Sequence, residues 1–309
     1  MFDSTIFVII FFKIISGFLS ILIGFLAGKL HNVQRDSIAS LLFYFIGPIV
    51  FGSAPMNLSL SISTIGITLV VFGILSTLGI FNYYWLGKIW KDSHRNVLAL
   101  SSTTTNCGYF MLPIVTSIFN EQILSIYMLC IIGAGLAESS IGFFLCARSL
   151  SSVKSTLLRV LKLPMFNAFL LGCFFSSIGI KIPDFLNDFM HNMRSAYSIL
   201  GMTMVGLGLS SITKFEIDPK FTIAALIINF VVQPLGFCVF IALDIFVFKT
   251  YDINYYKCLF LISICPISAN VIIVSSMINF SVQKIAPVVF ISIIIELMLI
   301  PSVLSTGVF

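Results

Sequence analysis

Apolar runs of roughly membrane-spanning length recur along this chain, separated by short polar breaks. They cover about 6–28, 37–56, 62–87, 96–118, 122–146, 163–180, 194–213, 221–246, 256–278 and 284–306. A helix needs about 20 such residues to cross the hydrocarbon of a bilayer. The runs predict an all-α polytopic membrane protein with ten transmembrane helices. Runs 37–56 and 194–213 are rich in Gly and Ser and partly amphipathic. The first run continues to Leu30, is interrupted by Lys13 and lacks a small-residue cleavage site. It is predicted to be a retained span rather than a signal peptide.

Two runs carry residues foreign to an ordinary spanning helix. Stretch 101–119 (SSTTTNCGYFMLPIVTSIF) holds Asn106, Gly108 and Pro113, and stretch 258–279 (CLFLISICPISANVIIVSSMIN) holds Pro266, Ser268 and Asn270. Proline removes a backbone donor and opens the helix about one turn upstream, and in lipid the freed carbonyls need partners. One interrupted span in each half of a chain points to a transporter site at the bilayer midplane.

Charge adds orientation. The chain of 309 residues is 59% hydrophobic and 9% charged, with mean hydropathy +1.11, against about 25% charged in a soluble domain. Lys29, Arg35, Lys88, Lys91, Arg95, Arg148, Lys154, Arg159, Lys162, Lys214, Lys220 and Lys284 fall in odd-numbered loops; Lys181, Arg194, Lys249 and Lys257 fall in even ones. This bias places the odd loops in the cytoplasm and both termini outside. The basic residues set topology and imply no nucleic-acid partner. The longest polar break, 147–162, divides the chain into five-span halves, 1–146 and 163–309, with 147–162 as a cytoplasmic linker. Five is odd, so the halves run in opposite senses, as in an inverted repeat. Pro113 and Pro266 are 153 positions apart, Gly47 and Gly201 are 154 apart, and near-equal offsets suit a duplicated unit.

The candidate chemistry lies at the breaks. A broken helix exposes N–H groups whose partial charge can hold an anion. Asn106 and Asn270 can cap the broken ends or grip a carboxylate. Thr103, Thr104, Thr105 and Ser268 add hydroxyls that can also bond back to their own helix. Tyr109 and Phe110 are candidates to wall a substrate or simply to pack. Glu138 and Glu296 lie inside spans, where ionisable residues are costly and default to functional roles. Each is a candidate to carry a coupling proton or ion, or to be a hydrogen-bonded structural carboxyl. Asn229 and Gln233 share a face of span eight, directed either at the crossover or at a neighbouring helix. Asp244 is expected to be solvated, and Lys13 to snorkel. Gly47, Gly52, Gly201, Gly206 and Gly208 suit a close, movable helix interface. The seven cysteines suit packing and have no metal-site spacing. Histidines 31, 94 and 191 are expected in loops. No enzyme signature, cofactor motif or metal motif is present.

Four segments in register resemble the auxin efflux carrier family of membrane transporters. They are Gly24-Phe25-Leu26-Ala27-Gly28-Lys29-Leu30 followed by Leu41-Leu42-Phe43-Tyr44-Phe45-Ile46-Gly47-Pro48-Ile49-Val50-Phe51; Thr105-Asn106-Cys107-Gly108-Tyr109-Phe110-Met111-Leu112-Pro113; Leu161-Lys162-Leu163-Pro164 with Leu171-Gly172 and Gly179-Ile180-Lys181-Ile182-Pro183; and Cys265-Pro266-Ile267-Ser268-Ala269-Asn270. Met111 stands where the family commonly has glycine, and Asn229 and Gln233-Pro234 stand where Lys-x-x-x-x-Pro is frequent. The resemblance implies two inverted five-span repeats, with a scaffold of spans one, two, six and seven. It implies a transport domain of spans three to five and eight to ten, with broken spans four and nine crossing.

It also implies an auxin-like or dicarboxylate substrate such as malate or malonate, and a possible homodimer. The resulting expectation is a secondary or potential-driven carrier of a small organic anion. Substrate would bind around Thr105, Asn106, Gly108, Pro113, Gln233, Pro266, Ser268 and Asn270. A sodium- or proton-coupled symporter of bile-acid or sodium–proton exchanger architecture is the alternative carrier. A membrane sensor that binds without transporting is the alternative of another class.

Overall fold

The computed structural model describes residues 4–58, 61–147, 158, 161–210 and 216–305. The expected linker 147–162 lies almost wholly outside the described residues, as does the side chain of Lys13. Every regular element among the described residues is helical. The helices are α1 (Ser4–His31), α2 (Arg35–Asn57), α3 (Ile62–Leu86), α4 (Ser93–Ser101), α5 (Cys107–Ile118), α6 (Glu121–Cys146), α7 (Pro164–Ser177), α8 (Asn187–Ser210), α9 (Pro219–Phe248), α10 (Ile253–Ser263), α11 (Asn270–Ser276) and α12 (Val282–Leu304). Five of them, α2, α3, α6, α9 and α12, are long and apolar enough to cross a membrane. Their outward faces carry Leu69, Leu235, Val239 and Phe246 in the open, as lipid-facing helices do. Only 22% of the apolar window of α9 is buried, against 61% for α6, so α6 is central and α9 peripheral.

The interrupted stretches are interrupted, but the prolines act differently than predicted. In the first, the helix stops at Ser101 and resumes at Cys107. Pro113 lies at the second position of the regular turns that begin at Leu112, just after a widened turn over Cys107–Met111. A widened turn absorbs the missing donor without opening the helix. Pro266 sits inside its own break, between Ser263 and Asn270. Pro234 follows another widened turn, Ile228–Val232, while Pro287 and Pro301 lie inside α12.

Three other expectations are corrected. Asp244 is buried, not solvated: its carboxylate accepts from the backbone N–H groups of Thr250 and Tyr251 and from Tyr256 Oη at 2.7 Å. It thereby pins the turn that leaves α9. His94 and His191 lie within α4 and α8 rather than in loops, and His31 ends α1. The helix of the seventh apolar run starts at Asn187, earlier than expected, because the mixed polar and apolar residues 187–194 form the first two turns of α8.

Helix ends sort into two groups of contacts. At one end, His94 packs on Phe221 and Phe280 and faces Asp218, Glu216 N–H donates to the Gln283 carbonyl, and Arg95 lies over the Tyr83 ring. At the other, Thr64 meets Tyr255, Cys258 reaches the Ile123 carbonyl, and Arg194 pairs with Glu121 at 2.7 Å. Thr64 and Tyr83 lie near opposite ends of α3, about 28 Å apart at 1.5 Å per residue.

Glycines set the closest approaches. Helix α1 packs along α8, and α2 along α7. A Cβ on Gly206 would collide with the Ile21 carbonyl, one on Gly24 with the Thr203 carbonyl, and one on Gly172 with the Gly52 carbonyl. Gly47 lies against Met165, and Gly201 against Tyr109. Such backbone-to-backbone contact replaces the hydrophobic drive that lipid removes. Gly206→Leu is expected to force α1 from α8, to cost about 1–3 kcal/mol or more, and to lower the thermal midpoint of purified protein in detergent. An unchanged midpoint would contradict this packing.

Candidate functional site

The two breaks touch. The Asn106 backbone N–H donates to the Pro266 carbonyl at 2.8 Å, and Thr105 Oγ1 reaches the Ile262 carbonyl at 3.5 Å. Non-helical backbone at 104–106 and 265–268 thus meets inside the protein. Neighbouring helices stitch the crossing. Tyr127 Oη donates to the Cys107 carbonyl, Asn229 Nδ2 to the Cys265 carbonyl, and Gln233 Nε2 to the Ile262 and Ser263 carbonyls. Ser292 Oγ accepts from Ile267 N–H, and Ser268 Oγ from Asn270 N–H. These bonds satisfy groups that a helix would have satisfied internally. Several N–H groups expected to be bare are therefore occupied by the protein itself.

A cavity of about 130 Å³ opens beside the crossing. Thr105, Asn106, Gly108, Ser268 and Asn270 line it, together with Glu138 from α6. Pro113, Pro266, Gln233 and Glu296 are not among its lining residues; Pro266 and Gln233 serve the crossing instead. Asn106 is 2% exposed, and neither its Oδ1 nor its Nδ2 has a hydrogen-bond partner among the described residues. A buried amide without partners costs about 1–3 kcal/mol. Asn270 differs: its Nδ2 donates to Glu138 Oε1 at 2.8 Å. The carboxylate that accepts this bond begins a widened turn, Glu138–Gly142, within α6.

Several lining residues were not singled out from sequence. Tyr197, Phe43, Phe51, Met165, Phe166 and Ser139 complete the wall. Tyr109 does wall the cavity, its ring 5.3 Å from that of Tyr197, whereas Phe110 turns away and packs edge-on against Phe18. Tyr197 stands out in sequence only as an aromatic one turn before Gly201; its position became meaningful once Gly201 let Tyr109 approach. Thr103 bonds back to the Leu100 carbonyl, as a helix-bound threonine does, and lies outside the cavity.

A wider space of about 560 Å³ shares Phe43, Glu138, Ser139 and Leu163 with this cavity. It extends past Phe143, Val274 and Lys162. Asn96 Nδ2 reaches the Cys146 carbonyl at 3.4 Å, tying this end of α6 to α4. The Arg194–Glu121 pair lies at the opposite end of α6. The cavity therefore has its wider neighbour at the His94 and Arg95 end.

No group of three or more His, Cys, Asp or Glu side chains that could hold a metal occurs among the described residues. Tyr127→Phe is expected to leave the Cys107 carbonyl with the Leu112 N–H as its donor and to cost about 0.5–1.5 kcal/mol, read as a lower unfolding midpoint. A midpoint equal to wild type would mean that Tyr127 does not support the crossing. No protein-family model matches the sequence, and no curated protein matches it.

Proposed function

We propose that this chain is a secondary carrier of a small organic anion, of the auxin efflux carrier kind, working by alternating access. Its ten apolar stretches cross the membrane as two inverted five-span repeats, with both termini outside. The observation that carries the proposal is the partnerless amide of buried Asn106, facing a cavity where two broken helices meet. Transporter sites are built from such discontinuous helices. Pairwise packing supports the repeat: α1 on α8 and α2 on α7 are exchanged by the expected symmetry. Contacts among residues of the third, seventh and ninth loops, at the end opposite Arg194 and Glu121, support the sidedness. In this arrangement the wider space leads to the cytoplasm, and Arg194–Glu121 closes the outer face.

Glu138 constrains the cargo. Among the described residues it is the only charged one lining the smaller cavity, and Asn270 already donates to it. Two like charges about 4 Å apart repel by about 4 kcal/mol at an effective dielectric near 20. An anion therefore enters with Glu138 protonated, or after it leaves Asn270. This favours the proton-coupled form of the carrier over one driven by potential alone. Protonation lets Glu138 and Asn270 separate, so that Asn106 and Asn270 share the substrate carboxylate.

Flux of labelled malate, malonate and indole-3-acetate into proteoliposomes tests the proposal. Saturable uptake of at least one is expected, reduced about tenfold or more by Asn106→Ala and by Asn270→Ala. Glu138→Gln is expected to lower the KM for that anion and to remove its dependence on a proton gradient. Absence of flux for every anion tested, or normal flux in both asparagine variants, would refute the site.

A further inference from the structure

Arg194 is almost wholly buried, yet its partner is not. The residue is 8% exposed, while the Glu121 side chain that meets it is 66% exposed. Arg194 Nη1 donates to Glu121 Oε2 at 2.7 Å, and neither residue makes another ion pair among the described residues. A guanidinium can offer a carboxylate two parallel N–H groups. Here a single bond to Glu121 forms, and the buried Arg194 Nε has no partner among the described residues. A cation taken out of water is costly unless an opposite charge meets it, whereas an exposed carboxylate gains little from such a pair. Arg194 therefore requires a carboxylate, and Glu121 is one that can leave.

The pair lies one helical turn beyond the cavity. Tyr197 follows Arg194 by three residues, on the same face of α8 and about 4.5 Å further along its axis. Tyr197 lines the cavity, is 3% exposed and packs edge-on against Phe51, ring centroids 5.3 Å apart. A Cβ on Gly108 would sit 3.4 Å from Tyr197 Oη, and Gly201, four residues further on, receives the Tyr109 ring. Arg194, Tyr197 and Gly201 thus form one stripe of α8. It meets Glu121 at the start of α6 and the widened turn of α5 that carries Gly108 and Tyr109. Neither Arg194 nor Glu121 lines the cavity or the wider space.

We infer that Arg194 is a second carboxylate-binding residue, occupied by Glu121 in this state, and that exchange of Glu121 for a cargo carboxylate opens this end of the cavity. The inference rests on the carrier reading and deepens it, since it gives the anion a station on the side away from the wider space. Glu121 itself shows the chemistry that the guanidinium accepts. Arg194 Nε supplies the second bond of a fork that Glu121 leaves half used. A cargo carboxylate in that fork takes over the counter-charge, so α6 loses its tie to α8 without leaving a buried cation unpaired. In the carrier reading α8 belongs to the scaffold and α6 to the moving domain, and this tie holds them together until cargo arrives.

A membrane-impermeant thiosulfonate tests the gate in oriented proteoliposomes of the full chain. Ser139→Cys places a thiol in the cavity wall, and its labelling is read by mass spectrometry at that position. From the Glu121 side, labelling is expected to be slow, and to become about tenfold faster or more when Glu121→Gln or Arg194→Gln is added. Acetate on that side, at constant ionic strength, is expected to speed labelling of the Ser139→Cys protein, while chloride does not. Arg194→Gln is expected to abolish this response. Arg194→Lys, which keeps the charge but not the fork, is expected to label slowly and to respond more weakly to acetate. Labelling no faster with Glu121→Gln than without it would overturn the inference, even if Arg194→Gln fails to fold. So would a chloride effect equal to that of acetate, or an acetate response that survives Arg194→Gln. Labelling needs no net flux, so the two readings fail separately: transport can be absent while the gate answers acetate, and transport can persist while labelling ignores both residues.

Discussion

A backbone that leaves its helix inside an apolar protein must find other partners for its N–H and C=O groups. This requirement organises the centre of the molecule. The two breaks answer it partly through each other, with Asn106 N–H on the Pro266 carbonyl. The rest comes from four side chains on three surrounding helices: Tyr127, Asn229, Gln233 and Ser292. Each is buried and polar where an ordinary helix contact would be apolar. Their positions follow from what the breaks leave unsatisfied.

The polar residues at the crossing divide by what they have left over. Tyr127 donates to one break, Ser292 accepts from the other and donates within its own helix, and neither has a buried side-chain atom without a partner among the described residues. Asn229 and Gln233 satisfy the backbone with their nitrogens and keep an oxygen free. Asn106 keeps its whole side chain free. Free capacity in a buried group is costly, and this sets Asn106 apart from the groups whose bonds hold the crossing together. Around this centre, glycine contacts between α1 and α8 and between α2 and α7 bring backbones together without interlocking side chains. Surfaces of that kind suit helices that slide or rock.

Much of the architecture was legible in the chain. Hydropathy is a sum over neighbouring residues, and helices in apolar surroundings satisfy their own backbones, so all ten apolar runs contain helix near their predicted bounds. Both interruptions were legible for the same reason: Asn, Gly, Ser and Pro clustered in an apolar run are a local signal. The agent of interruption was not. Pro113 sits in a continuous helix beyond a widened turn. The chain opens seven residues or more before it, at 102–106, where the Thr105 hydroxyl and the Asn106 backbone find partners across the crossing.

Sequence alone thus determined helical content, the apolar runs, the two interrupted stretches and a short roster of polar residues inside them. Tertiary structure decided which of those residues meet. It brought Glu138 to Asn270 and the cavity, and left Glu296 buried outside the cavity lining. It buried Asp244 under its own turn and made Tyr197 part of a wall. The physical reason is that a polar group's role depends on which donor or acceptor lies within about 3 Å of it. Helices far apart in sequence supply that neighbour, and no local pattern encodes it.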